Sequence, residues 1–270
     1  MTNKWFSGDV MADGIKLHYY RTGGDKPAVV LAHGITDNGL CWTRLAQTLA
    51  QDYDLIMYDA RGHGFSDAPA TGYTMKEHVA DLAGLVETLG LEKPALIGHS
   101  MGAANIAAAI ATHPNLASGA ILEDPPWRQV YVEDKTWLKA WRVELVSRKT
   151  QTLDKVIAAG RAQHPTWPEV EWQPWAESKQ QANPNVLEWI EKRQSSAPWQ
   201  KLVPQITCPV LLVTGDPELE AIVTPEVAQE VAHLNPGIKL ERISGAGHSI
   251  RREQFDTYVE AVAEFLKEIL

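Results

Sequence analysis

The chain has 270 residues, of which 44% are hydrophobic and 22% charged, and its formal net charge is −9. A chain of this length buries about three quarters of its unfolded surface, so its core needs neither disulfides nor metals, and a single domain is the expectation. The negative charge argues against nucleic acid and anionic membranes as partners, because both require a basic protein face.

The N-terminal segment MTNKWFSGDV lacks a basic region followed by an apolar stretch, and no run approaches 18 consecutive apolar residues. We therefore expect no signal peptide, no membrane span and a cytoplasmic location. The isolated residues Cys41 and Cys208 predict buried, inert thiols rather than a disulfide framework or a metal site. The oligomeric state is left open, with a homodimer among the options.

Short apolar runs alternate with helical patterns over the first 125 residues. Asp13-Gly14 separates strand patterns at residues 7–11 and 15–20 and predicts an antiparallel hairpin at a sheet edge. Strand patterns follow at residues 28–32, 54–58, 95–98 and 120–122, with helical patterns at residues 42–52, 75–89 and 103–113. This alternation indicates a mostly parallel sheet covered by helices on both faces.

The pattern changes between Pro125 and Pro204, where apolar strand runs disappear and prolines interrupt helical patterns. Eight of the ten tryptophans lie in this segment: Trp127, Trp137, Trp141, Trp167, Trp172, Trp175, Trp189 and Trp199. Alternation then resumes, with strands at residues 210–214 and 238–243 and helices at residues 225–234 and 255–270. We predict an eight-stranded α/β core formed by residues 1–124 and 204–270, and a helical cap, or lid, formed by residues 125–203.

The pentapeptide Gly98-His99-Ser100-Met101-Gly102 matches G-x-S-x-G and lies between an apolar strand and an alanine-rich helix. In this strand–turn–helix context a serine is held at a sharp turn, and small neighbours let the strand and helix pack closely. The N–H groups at the start of the helix offer partial positive charge where an oxyanion would form. Ser100 is therefore the predicted nucleophile.

A serine hydroxyl needs an adjacent base to attack at neutral pH. Among nine histidines, His248 lies in Gly245-Ala246-Gly247-His248-Ser249, between the last strand pattern and the terminal helix. A glycine-flanked loop at a strand end can present a polar side chain to a cleft, so His248 is the predicted general base. No pair of histidines has the spacing of a metal site such as H-E-x-x-H, and we expect no metal.

Across nearly the whole chain except the cap, the sequence resembles the α/β-hydrolases, and in particular small bacterial esterases and lactonases with helical caps. The motifs that carry the resemblance are His33-Gly34, the segment 59–67 (DARGHGFSD), Gly98-His99-Ser100-Met101-Gly102 and Gly247-His248. It implies an α/β-hydrolase fold and a triad in the chain order Ser, acid, His. It also implies an oxyanion hole formed by the backbone N–H groups of Ile35 and Met101, with His33 holding its loop by hydrogen bonds.

The acid of the triad is less well defined by the sequence. The family usually places it after the strand at residues 210–214, about three residues past a glycine, but Gly215-Asp216-Pro217-Glu218-Leu219-Glu220 departs from that pattern by two additional residues. We predict Asp216, whose short side chain is nearest the strand end. The alternatives are Glu218 and Glu220, together with Glu123 and Asp124, because some relatives take the acid after the earlier strand.

These residues predict a carboxylesterase-like serine hydrolase that cleaves a small-molecule carboxylic ester or lactone through an acyl-enzyme on Ser100, with no cofactor. Tryptophans over the cleft favour an apolar or aromatic substrate group. Two alternatives are kept. One is a C–C bond hydrolase or perhydrolase with the same triad, and the other is a ligand receptor that retains the fold and turns over very slowly.

Overall fold

The computed structural model describes residues 5–129, 134, 136–192 and 198–270. Its strands are β1 (Phe6–Ala12), β2 (Ile15–Arg21), β3 (Ala28–Ala32), β4 (Asp54–Tyr58), β5 (Ala95–His99), β6 (Gly119–Glu123), β7 (Val210–Thr214) and β8 (Ile238–Arg242). They form one eight-stranded sheet in the order β1-β2-β4-β3-β5-β6-β7-β8. Strands β3 to β8 are parallel to one another, whereas β1 and β2 are antiparallel, as predicted.

The helices are α1 (Thr43–Leu49), α2 (Met75–Thr88), α3 (Met101–Thr112), α4 (Trp137–Arg148), α5 (Leu153–Gln163), α6 (Trp172–Gln181), α7 (Glu188–Glu191), α8 (Trp199–Leu202), α9 (Pro225–Leu234), α10 (Ile250–Glu253) and α11 (Phe255–Ile269). Within the described ranges, none of them is long and apolar enough to cross a membrane.

The hairpin at the sheet edge depends on two left-handed residues. Asp13 has φ 47° and Gly14 has φ 79°, and Ala12 pairs directly with Ile15. A two-residue turn with positive φ at both positions matches the right-handed twist of the flanking strands. The predicted hairpin is thereby confirmed.

The central strands are buried on both faces because their alternate side chains enter different hydrophobic layers. Val30 and Ala32 of β3 pack into the layer that includes α2, α3 and α9, whereas Val29 and Leu31 pack against α1 and α11. Because β3 to β8 are parallel, their carboxyl ends lie at one common edge of the sheet, and helices cover both faces. The loops at that edge carry the candidate site.

Between β6 and β7, the described residues form helices and turns and no strands. Trp167, Trp172 and Trp175 pack together, with ring centroids 5.4–6.2 Å apart. Trp189 donates a 2.9 Å hydrogen bond from Nε1 to Oδ1 of Asn105, a buried residue of α3. The region thus has an aromatic core of its own, although its treatment as a separate cap stays a prediction.

Candidate active site

Ser100 lies between β5 and α3 in a strained conformation, with φ 53° and ψ −113°. The glycines on either side are required by close backbone contacts. A Cβ at position 98 would lie 2.6 Å from the Ala103 nitrogen, and one at position 102 would lie 2.2 Å from the Ala32 carbonyl oxygen. A strained serine held between a strand and a helix that nearly touch is the arrangement of a nucleophile elbow.

A chain of hydrogen bonds connects this serine to a histidine and a carboxylate. Nε2 of His248 lies 3.1 Å from Oγ of Ser100, and Nδ1 of His248 lies 2.6 Å from Oδ2 of Asp124. The Asp124 carboxylate is fully buried and also accepts the backbone N–H groups of Ile222 and Val223. With its Nδ1–H donated to Asp124, His248 can accept the serine proton at Nε2.

The structure corrects the prediction that Asp216 orients His248. Asp216 lies two residues beyond the end of β7, where Oδ1 accepts a 2.8 Å hydrogen bond from Arg242 and Oδ2 a 2.7 Å bond from the Gly245 N–H. The Gly245 N–H and then the Arg242 guanidinium lower the pKa of Asp216. Both carboxylate oxygens are engaged on the β8 side, and the two ring nitrogens of His248 contact Asp124 and Ser100 instead. The carboxylate that contacts His248 is that of Asp124, which was one of the alternatives.

The loop after β3, residues 33–37, is called the oxyanion loop here. Nε2 of His33 accepts a 3.0 Å hydrogen bond from the Ala60 N–H, so Nδ1 carries the proton that it donates to the Gly34 carbonyl at 2.8 Å. The Asp37 N–H donates to the same carbonyl at 3.0 Å. Because the peptide is trans and planar, this arrangement points the Ile35 N–H in the opposite direction. Burial lowers the pKa of His33 to about 3, which keeps the ring neutral.

The second expected donor is the backbone N–H of Met101, the first residue of α3. The first N–H groups of a helix have no partner within the helix and point outward from its start. Ser100, Gly34 and Ile35 all line the same cavity. The fold therefore places both predicted donors next to Ser100, and their role in stabilising an oxyanion stays a prediction.

A cavity of about 880 Å³ opens above Ser100 and His248. The chain segment between β6 and β7 contributes four aromatic side chains to its lining, those of Trp141, His164, Trp167 and Trp175. Charged residues of both signs also line it: Asp37, Glu144, Arg148, Lys179, Glu218, Glu220, Arg252 and Glu253. A substrate in this cavity would meet flat aromatic surfaces together with five acidic and three basic side chains.

The three cations that line the cavity differ in what already binds them. Lys179 and Arg252 are almost fully buried and belong to an ion-pair network. Arg148 is bound through Nη2 to Glu144, one turn away on α4, and its guanidinium carbon lies 5.7 Å from the centroid of the Trp175 ring. Arg148 is therefore the cation with the fewest fixed contacts among the three.

The ion-pair network is centred on Asp37, the last residue of the oxyanion loop. Oδ2 of Asp37 accepts hydrogen bonds from Arg251 at 3.2 Å and Arg252 at 3.0 Å, and these arginines also contact Glu123 and Glu171, respectively. Burial alone would raise the pKa of Asp37, but the surrounding cations hold it well below its usual range. Sequence reasoning missed this network because its members are far apart in the sequence. The one local signal was the Arg251-Arg252 pair, which closely follows His248.

Two further motif residues have structural partners. Asp59 accepts the backbone N–H groups of Gly39 and Phe65, and His63 lies between the carbonyl oxygens of Arg61 and Ile35. In the part of the chain that the structure describes, no group of three or more His, Cys, Asp or Glu side chains could hold a metal ion.

The comparisons with known proteins agree with this architecture. The family model described as alpha/beta hydrolase fold matches residues 27–251. The 2-(acetamidomethylene)succinate hydrolase of Mesorhizobium japonicum is 29% identical over 255 residues, which cover 91% of this chain and 90% of that protein. The N-formylmaleamate deformylase of Pseudomonas putida is 29% identical over 265 residues, which cover 96% of each chain.

A solved structure gives the same result. The crystal structure of E-2-(acetamidomethylene)succinate hydrolase superposes with a TM-score of 0.83 at 26% identity and covers 97% of this chain and 99% of that one. The fold class and the family resemblance predicted from the sequence are thus confirmed. The chain is a hydrolase and belongs to the α/β-hydrolase fold family.

Proposed function

We propose that this hydrolase cleaves an acyl–nitrogen bond of a small, carboxylate-bearing molecule through an acyl-enzyme on Ser100. The observation that carries the proposal is the hydrogen-bonded chain from Ser100 through His248 to Asp124, which opens onto a cavity lined by tryptophans and Arg148. The names of the two relatives describe substrates that combine an acylated nitrogen with carboxylate groups.

The first prediction, cleavage of a simple carboxylic ester, is unconfirmed. The comparisons favour the alternative kept beside it, a C–C bond hydrolase or perhydrolase with the same triad, in that the named relatives act on a bond other than an ester. We take the acyl–nitrogen bond as that bond because the relatives' names contain acetamido and formyl-amide groups. The cytoplasmic location and the homodimer stay predictions.

In the proposed cycle His248 removes the Ser100 proton while Oγ attacks the acyl carbonyl carbon. The oxyanion binds the N–H groups of Ile35 and Met101, each contributing roughly 3 kcal/mol to the stability of the transition state. The His248 imidazolium, stabilised by Asp124, then protonates the departing nitrogen. This step is needed because an unprotonated amide nitrogen is a poor leaving group. Water, activated by His248, releases the acid and restores Ser100.

Arg148 is proposed to bind a carboxylate of the substrate. It lines the cavity next to the Trp175 ring, and its planar guanidinium suits bidentate contact with a carboxylate. The flat faces of Trp141 and Trp175 suit the planar, unsaturated part of such a molecule. A substrate carboxylate would compete with Glu144 for the same cation.

The test is hydrolysis of a matched set of compounds by the wild type and by Ser100→Ala. The set contains N-formylmaleamate, 2-(acetamidomethylene)succinate, p-nitrophenyl acetate and a vinylogous 1,5-diketone, with released formate, acetate or other acids followed by proton NMR. We expect turnover of an acylated nitrogen compound that falls by at least about 10³-fold in Ser100→Ala. Faster hydrolysis of the ester or of the diketone would show that the enzyme cleaves an ester bond or a C–C bond instead. Equal rates in the wild type and Ser100→Ala would remove Ser100 from the mechanism.

A further inference from the structure

We propose that Lys179, on helix α6, is a positioning residue that holds the oxyanion loop in its active geometry. The inference rests on the proposed function, in which the Ile35 N–H is an oxyanion donor. Lys179 lines the cavity, and a lysine in that position would ordinarily be taken as a ligand for a substrate anion. Its contacts argue for a different role.

All three protons of the Lys179 ammonium have acceptors within the protein. Nζ lies 2.9 Å from the Thr36 carbonyl oxygen, 2.9 Å from Oγ1 of Thr36 and 2.8 Å from Oδ1 of Asp37. An ammonium group has three donors and no acceptor, so no proton remains for a substrate. The side chain is only 5% exposed, which makes exchange of these bonds for substrate contacts costly.

These acceptors directly follow the proposed oxyanion donor. Thr36 is the residue after Ile35, and the Asp37 N–H closes the turn by bonding to the Gly34 carbonyl. Lys179 thus holds the far end of the turn, whereas His33 holds its beginning. Displacing an aligned group by about 1 Å can reduce a rate by about 100-fold.

The same contact joins three parts of the site. The second carboxylate oxygen of Asp37 is bound by Arg251 and Arg252, which follow the base His248 by three and four residues. Lys179 therefore connects a helix of the predicted cap to both the oxyanion loop and the loop that carries the base. With Lys179 in place, the Ile35 N–H is fixed relative to Ser100 before substrate arrives.

The experiment compares Lys179→Met, which keeps the length of the side chain but removes all three donors, with Thr36→Val, which removes only the Oγ1 acceptor. Lys139→Met, on the exposed surface of α4, is the matched control. We expect Lys179→Met to lower kcat by about 100-fold while KM changes less than about 3-fold, Thr36→Val to lower kcat by a smaller factor, and Lys139→Met to match the wild type. Lys179→Arg should recover part of the loss because it keeps the charge and several donors.

A second readout does not depend on knowing the substrate. Benzeneboronic acid forms a tetrahedral adduct with an activated serine and places a hydroxyl where the oxyanion would lie, so its Kd reports the geometry of the hole. We expect its Kd to rise in Lys179→Met in parallel with the loss of kcat, and its binding to be lost in Ser100→Ala.

Unchanged kcat and boronate affinity in Lys179→Met, with only a lower Tm, would overturn the proposal and leave Lys179 as a structural ion pair. A rise in KM alone would overturn it in favour of substrate binding. Failure of the proposed function would instead appear in the wild type, as absence of turnover for the acylated nitrogen compounds, and the boronate measurement would still decide the role of Lys179.

Discussion

Asp124 Oδ2 lies 2.6 Å from His248 Nδ1, although the two residues are separated by 124 positions in the sequence. The carboxylate is fully buried at the end of β6 and is held from the other side by the N–H groups of Ile222 and Val223. Its orientation is therefore fixed before the imidazole becomes charged. Such an arrangement favours one histidine tautomer and stabilises the imidazolium.

We expect Asp124→Asn to reduce kcat by about 10⁴-fold with little change in KM, because the amide favours the wrong histidine tautomer and cannot stabilise the imidazolium. Asp216→Asn is the matched control: the same chemical change, also in a carboxylate after a neighbouring strand, should alter kcat by less than about 3-fold. Initial rates on the best substrate, with circular dichroism to check folding, measure both. The reverse ranking would return the acid to Asp216.

The role proposed for Arg148 leads to an effect on KM. A hydrogen bond to a charged group contributes about 1.5–3 kcal/mol, so Arg148→Gln should raise KM for a carboxylate substrate by about 10- to 100-fold and change kcat less. Arg142→Gln is the control, because Arg142 lies on the same helix but binds Pro184 and Glu191. Equal effects of the two substitutions would show that the loss is one of helix stability and not of substrate recognition.

Gly102, two residues after the predicted nucleophile Ser100, should resist substitution. In Gly102→Ala the new methyl group would lie 2.2 Å from the Ala32 carbonyl oxygen, so α3 must move away from β3. Overpacking of this kind costs about 1–3 kcal/mol, and the shift would also displace Ser100. The free energy of unfolding, measured with urea, and kcat should both fall in Gly102→Ala. Gly237→Ala, on an exposed turn, should change neither quantity by much. An active, stable Gly102→Ala would contradict the close packing of strand and helix.

Because His33 is buried, we expect the free energy of unfolding to fall in acid. Burial lowers its pKa from the ordinary value near 6.5 to about 3. Below pH 6.5 the unfolded chain binds a proton at His33 that the native state does not bind, so stability falls as the pH drops from about 6.5 towards 3. At pH 5 this contribution is about 2 kcal/mol.

His33→Asn tests this contribution, because it removes the titrating ring. The loss of unfolding free energy between pH 7 and pH 5 should be smaller in this variant by about 2 kcal/mol, whatever its stability at pH 7. His233→Asn, at an exposed position on α9, is the control and should keep the wild-type difference. A difference that His33→Asn leaves unchanged would assign the acid sensitivity to other groups.

Local patterns were sufficient to predict the sheet and its main helices. The predicted helix at residues 225–234 has the observed bounds, and the hairpin follows from the turn chemistry of Asp13-Gly14. The predicted helix at residues 42–52 was less accurate, because it is a 3₁₀ turn at Gly39–Trp42 followed by the shorter helix Thr43–Leu49. Both turns and boundaries depend on hydrogen bonds that hydrophobic periodicity does not report.

The acid could not be chosen from the sequence for a topological reason. Strands β6 and β7 are adjacent and parallel, so Asp124 and Asp216 both follow strands that end at the same edge of the sheet. What separates them is the local partner: Arg242 and Gly245 bind Asp216, whereas Ile222 and Val223 turn the Asp124 carboxylate towards the histidine. Such side-chain choices are made by tertiary contacts and leave no periodic pattern.

The hydrogen bond between Trp189 and Asn105 has a consequence for engineering. Asn105 is the only strongly polar side chain in the otherwise small and apolar helix α3, and it is 1% exposed. A chimera that replaces the predicted cap, residues 125–203, with the cap of another hydrolase would leave the Asn105 amide buried without its indole donor, which costs about 1–3 kcal/mol. Transplanted caps should therefore carry a tryptophan at the corresponding place, or be combined with an alanine at position 105.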